Sequence, residues 1–128
     1  SELIFVVIGE PASKANQRRL VTSKSGKALF IKSKKALDYS KSFDTQCMVL
    51  DELLEGDLSV TMIIYYASRR PDLDESLVLD LLQGKIYLND RQVKKKKIYW
   101  GLDKDNPRTV ISISKLEEDF LPKELKDL

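Results

Sequence analysis

Histidine is absent from this chain. That excludes catalytic triads built on imidazole and zinc sites with a histidine ligand. Carboxylates are then the natural groups for acid–base and metal chemistry. Cysteine is nearly absent, with Cys47 alone. No internal disulfide can form, and a single thiol fits a reducing compartment. Cys47 stands among Met48, Val49 and Leu50 and reads as a packing residue. No apolar run is long enough to cross a bilayer. The first such run, Leu3–Ile8, is too short for a secretory leader and lacks a basic start. The expectation is a cytoplasmic protein with no membrane partner and no organic cofactor.

What is present suits one domain over residues 1–128, large enough for a single modest core. A hydrophobic fraction of 42% argues against wholesale disorder. The net charge is only +2, but it is unevenly spread. Residues 12–41 carry nine bases, including Lys14, Arg18 and Arg19, against one acid. Residues 42–60 carry five acids and no base, and residues 91–97 carry five bases. Separate basic patches on a near-neutral protein can hold a polyanion, although runs of charge also occur as plain solvated faces.

Leu3–Ile8 reads as a buried strand, and the polar, basic stretch 12–27 as a loop. Ala28–Ile31 is a short strand. Ser33 caps a helix expected to run to about Leu54, with Gly56 relieving its end. Leu58–Ala67 is the clearest strand. Asp74–Gln83 reads as a short helix with Asp74 as N-cap and Gly84 just beyond. Ile86–Leu88 is a further short strand. Gln92–Trp100 and Thr109–Ser114 read as a strand pair around the Asp103–Pro107 turn. Residues 116–128 form an acidic C-terminal extension. The pattern predicts an α+β fold with a mixed sheet and two main helices.

The chemistry concentrates in Arg69-Arg70-Pro71-Asp72-Leu73-Asp74-Glu75 and in Asn89-Asp90-Arg91-Gln92-Val93. Pro71 biases Arg70 towards an extended backbone. If Asp72–Asp74 is extended, both carboxylates share one face. A loop–helix–loop of this length can return Asp90 beside Asp72. Carboxylates without histidine or thiol partners suit a hard cation such as Mg²⁺. Taken alone, the same residues also read as a helix cap and a turn, because so short a motif recurs by chance. In strand geometry Lys94 and Lys96 share one face, and Lys95 and Lys97 the other. Tyr65, Tyr66, Tyr87, Tyr99 and Trp100 read as core or dimer-contact groups.

The run RRPDLDESLVLDLLQGKIYLNDRQVKKKKIYW resembles the signature of the RusA family of Holliday junction resolvases. The opening Gly9-Glu10-Pro11-Ala12-Ser13-Lys14 is similar to that family's early segment. The resemblance implies a homodimer, acting with Mg²⁺ or Mn²⁺, that makes paired symmetric nicks in branched DNA. It implies Asp72, Asp74 and Asp90 as metal ligands. Glu75, or one of the ligands, would orient or deprotonate the attacking water. The basic residues Lys14, Arg18, Arg19, Arg69, Arg70, Lys85, Arg91, Lys94 and Lys96 would grip the DNA. Flap or fork cleavage on the same scaffold is the alternative activity. A weakened, DNA-binding-only relative is a second alternative, and a small interaction protein a third.

The chain departs from the family pattern in places. Glu75 replaces an asparagine, and Asn89 replaces the first of two aspartates. The family's helix lysine falls on Val78. Lys85, Arg91 and Lys94 are the expected substitutes for it. Asp80 matches a further acidic position, in a supporting role or as a plain exposed helix residue.

Overall fold

Alternation in the strand Leu58–Tyr66 builds the centre of the molecule. Leu58, Val60, Met62, Ile64 and Tyr66 are buried, and the residues between them are half-buried. The computed structural model describes residues 2–13, 16 and 18–128. Its elements in chain order are β1 (Glu2–Ile8), β2 (Arg18–Thr22), β3 (Ala28–Lys32), α1 (Lys34–Gln46), β4 (Leu58–Tyr66) and α2 (Ser76–Leu82). A 3-10 turn (Asp90–Gln92), β5 (Val93–Leu102), β6 (Arg108–Lys115) and α3 (Lys123–Lys126) complete the chain. The fold is α+β, with a mixed four-stranded sheet ordered β1-β6-β4-β5 and a separate β2-β3 hairpin.

Both main helices cover one face of the sheet. Ala36, Tyr39 and Phe43 of α1 and Leu77, Val78 and Leu82 of α2 pack on Val7, Val60, Met62, Ile111 and Ile113. Val78 is 0% exposed. The position expected from the family to carry a lysine is therefore core here, and a charge there would be buried without a partner.

Four expectations need correction. The stretch 12–27 is not all loop, because Arg18–Thr22 pairs with Ala28–Lys32 as a hairpin. The helix from Ser33 ends at Gln46, not near Leu54. Val49, Leu50, Leu53 and Leu54 imitate helical spacing, but their segment bonds to the loop after α2 instead. Leu50 N–H donates to Lys85 O at 2.9 Å, and Leu54 N–H to Ile86 O at 2.8 Å. Gly56, with φ +78°, turns the chain into β4 rather than capping a helix. Ile86–Leu88 is no strand, and only Tyr87 bridges to Leu54 and Gln83. The fourth error concerns β5 and β6, which do not pair with each other. Each pairs with β4, β5 parallel and β6 antiparallel. The Asp103–Pro107 turn thus crosses the end of β4, held by Arg108 Nη1 on Asp103 Oδ2 at 2.8 Å.

One glycine is fixed by close approach. A Cβ on Gly101 of β5 would stand 2.6 Å from Tyr65 Cδ1, because the Tyr65 ring lies across Gly101. Gly101→Ala is expected to cost about 1–3 kcal/mol through overpacking. Adding Tyr65→Ala should recover part of that loss in denaturant unfolding. An unchanged midpoint for Gly101→Ala alone would show that the ring moves aside freely.

Candidate functional site

The segment after β4 is pinned at two points. Trp100 Nε1 donates to Pro71 O at 3.0 Å, and Asp74 N–H donates to Tyr66 Oη at 3.1 Å. Tyr66 and Trp100 stack, with ring centroids 5.8 Å apart. These two aromatics anchor the acidic segment to β4 and β5. Burial pushes the Tyr66 hydroxyl up, so it stays protonated. Tyr66→Phe removes the acceptor of the Asp74 amide, at about 0.5–1.5 kcal/mol. The Asp74 amide should then exchange hydrogen faster, and unchanged protection would rule out this anchor.

Asp74 is not the N-cap expected of it, because α2 starts two residues later and Glu75 holds that position without a side-chain capping bond. Asp74 Oδ1 accepts from Ser76 N–H at 3.0 Å, and α2 begins at Ser76. Gly84, with φ +79°, lies just past the end of α2, as the sequence suggests. The return is built by amides. Gln83 Oε1 accepts from Asp90 N–H at 2.9 Å. Asn89 Oδ1 accepts from Arg91 N–H at 2.9 Å, and Gln92 Oε1 from Asn89 N–H at 3.1 Å, a capping box around the 3-10 turn. Asn89 is thus a cap, a task that asparagine performs as well as aspartate. Gln92 Nε2 donates to Leu54 O at 2.9 Å and Gly56 O at 3.0 Å, tying the turn to the segment before β4. The buried Tyr87 hydroxyl donates to Leu79 O at 2.6 Å and fixes the loop to α2.

The result is a cleft of about 470 Å³ lined by Asp74, Glu75, Ser76, Leu79, Asp80, Asp90 and Lys96. Asp74, Glu75 and Asp90 line it together, but the expected meeting of Asp90 with Asp72 does not occur. Asp72 does not join the lining and is exposed on the approach loop. Asp80 reaches the cleft from α2 and also lines a neighbouring hollow with Arg18 and Lys32 of the hairpin.

The cation in the cleft is Lys96, whose Nζ lies 2.6 Å from Glu75 Oε2. Sequence reasoning placed Lys96 only in the DNA grip. The expected substitutes lie elsewhere. Lys85 pairs with Asp44 of α1 at 2.7 Å and sits 6.0 Å from the Phe43 ring centre. Arg91 Nε turns to Asn89 Oδ1 at 3.3 Å, and Lys94 is exposed. A bulge explains the choice. Leu58 pairs with Val93 but Ser59 with Lys95, so Lys94 is the extra residue. After the bulge, Lys96 shares the helix-covered face with its partner Val60, while Lys95 and Lys97 sit on the other face. The expected pairing of Lys94 with Lys96 by simple alternation fails at this bulge. Arg18, Arg19, Arg69 and Arg70 are exposed, and Lys14 lies outside the described residues.

Apart from Lys96, the polar side chains lining the cleft offer only oxygen donors, which fits a hard divalent cation. Among the described residues, no three acidic or thiol groups stand close enough to form a ready-made ligand shell. Mg²⁺ needs no such shell, since it commonly takes one or two carboxylates and keeps waters and phosphate oxygens for the rest. Asp74 and Asp90 are the pair available to it.

A comparison with curated proteins finds no match. A family model described as endodeoxyribonuclease RusA matches residues 9–114, which hold the whole cleft, the hairpin and four of the six strands entire. The chain belongs to the RusA family of endodeoxyribonucleases.

Proposed function

We propose that this chain resolves Holliday junctions, cutting four-way DNA by paired symmetric phosphodiester hydrolysis as a metal-dependent homodimer. The observation that carries this reading is the meeting of Asp74, Asp90 and Lys96 in one cleft. Asp74 and Asp90 would hold Mg²⁺ or Mn²⁺, and Asp72 would join from the approach loop. When bound, such a cation supplies an acidified water and offsets charge on the phosphate.

The remaining work falls to the chain's own groups. The Lys96 ammonium stands where negative charge builds in the transition state. Glu75 spends its charge on Lys96, which suits it to holding that lysine better than to acting as a base. The hollow holding Arg18 and Lys32 shares Asp80 with the cleft, so a basic approach runs from the hairpin to the site. Arg19, Arg69, Arg70, Arg91 and Lys94 extend it as exposed charges. Lys85 serves α1 instead. Contacts of this kind position a phosphate backbone without reading sequence. Two matched nicks require two centres, which a two-fold dimer supplies. The cytoplasm of a bacterial or phage-infected cell is the setting that fits.

The test is cleavage of a labelled four-way junction with and without Mg²⁺, beside flap, fork and duplex substrates. Paired nicks in the junction, dependent on the cation, are expected. Preferred cutting of flaps or forks would replace junction resolution with that activity. Tight junction binding without cleavage in Mg²⁺ or Mn²⁺ would reduce the protein to a binding module.

A further inference from the structure

The β2-β3 hairpin stands apart from the main sheet as a two-stranded ribbon. Every residue of β2 is exposed except the half-buried Val21. Residues 18–32 carry five bases, Arg18, Arg19, Lys24, Lys27 and Lys32, and no acid. The tip is closed by its own bonds. Gly26 N–H donates to Ser23 O at 2.9 Å and Ser23 N–H to Lys27 O at 2.8 Å, with Gly26 at φ +86°. Phosphate contact accounts for the bases, but not for the apolar side chains set among them. Leu20, Leu29 and Ile31 are 60%, 43% and 37% exposed. The register puts them on both faces of the ribbon. Leu20 shares one face with Arg18 and Lys32, while Leu29 and Ile31 share the other with Arg19. A ribbon made to lie on one surface needs one apolar face. Apolar groups on both faces suit insertion between two surfaces.

We propose that this hairpin is a wedge for branched DNA, whose bases hold flanking phosphates while Leu20 and Leu29 enter the gap between base pairs at the branch point. The ribbon starts beside the cleft. Arg18 and Lys32 at its base line the hollow that also holds Asp80, and Asp80 lines the cleft. From that pair, two and three residues of strand carry Leu20 and Leu29 ~7 and ~10 Å outward. Stacked bases present apolar planes with phosphates at their edges, which matches apolar groups flanked by bases on a thin ribbon. In an intact duplex such an insertion must first unstack a base step. At a branch point the stack is already interrupted, so less is lost and the junction is favoured. Phosphate contacts alone cannot make that distinction, because junction and duplex carry the same phosphates. Five bases without an acid also select DNA over a second copy of the chain, whose hairpin brings the same positive charge.

The wedge rests on the proposed function only in taking four-way DNA as its ligand, and it is tested by binding without divalent ions, where nothing is cut. The Leu20→Thr, Leu29→Thr double variant keeps strand-forming side chains and all five bases. It should bind a four-way junction ~10-fold or more weaker than the wild type, the scale of an apolar side chain left unburied. Its affinity for linear duplex of the same arm sequence should be unchanged. Leu20→Phe should keep the preference for the junction. 2-Aminopurine placed beside the branch point should brighten when the wild-type protein binds, and stay quenched when the double variant saturates the same junction. Arg19→Ala should weaken junction and duplex alike and leave the brightening intact. Equal loss of junction and duplex affinity in the double variant would overturn the wedge. So would a changed oligomeric state of that variant by sedimentation, which would assign the two leucines to a contact between copies. A wild-type protein that cuts the junction in Mg²⁺ yet leaves 2-aminopurine quenched would overturn the wedge and keep the nuclease reading. Brightening without cutting in Mg²⁺ or Mn²⁺ would keep the wedge and count against that reading.

Discussion

Asp74→Asn and Asp90→Asn should each reduce junction cleavage by ~10²-fold or more, the scale on which removal of a charge-handling group is felt in such chemistry. Fold and junction binding should survive. An asparagine oxygen at 74 can still accept from Ser76 N–H, so the start of α2 is kept. The bond from Asp90 to Gln83 uses the backbone N–H and is untouched by the substitution. Removing a negative charge beside a polyanion lowers repulsion, so affinity should hold or rise. Single-turnover cleavage, with binding measured separately in the absence of divalent ions, separates the two effects. Asp72→Asn is expected to behave alike, through the approach loop rather than the cleft wall. Wild-type turnover in any one of the three removes that residue from the site.

Lys96→Ala should cut the cleavage rate by ~10²-fold while weakening junction binding far less, because a cation aimed at developing charge acts on the transition state more than on the ground state. Lys96→Arg should keep part of the rate. Lys85→Ala should lose stability through its contacts with Asp44 and Phe43 and leave the rate per folded molecule unchanged. Arg91→Ala and Lys94→Ala should lose rate only as they lose affinity, since both are exposed at the rim. If the rate of Lys96→Ala falls only in step with affinity, Lys96 is a grip residue and the site has no resident cation.

The two basic positions that sequence reasoning weighed differently show where such reasoning stops. Lys96 and Lys94 look equivalent in the run Lys94–Lys97, two residues apart with the same chemistry. One extra residue in β5 separates them, because a bulge breaks the period of two on which the equivalence rests. Nothing in four consecutive lysines marks a bulge. Tyr66 and Trp100 posed the same difficulty. An aromatic in a β-rich run reads as core, and both do pack, yet their polar atoms reach Asp74 and Pro71 across the strand pair. Only the parallel pairing of β4 with β5 brings those atoms to the same end of the sheet.

Much of the rest was written locally. The alternation of Leu58–Tyr66, the cap at Ser33 and Gly84 after α2 follow from side-chain period and turn chemistry. These are interactions among near neighbours, and the sequence by itself determined them. The end of α1 at Gln46, the place of β4 between β5 and β6, the exclusion of charge at Val78 and the turning of Lys85 to α1 came from tertiary structure. In each case several local solutions cost nearly the same, and packing decided among them. Val49 to Leu54 had apolar spacing for a helix but gained more by bonding to the loop that returns Asp90. The sheet order could not be read from strand patterns, since β5 and β6 have the same alternation whether they pair with each other or with β4.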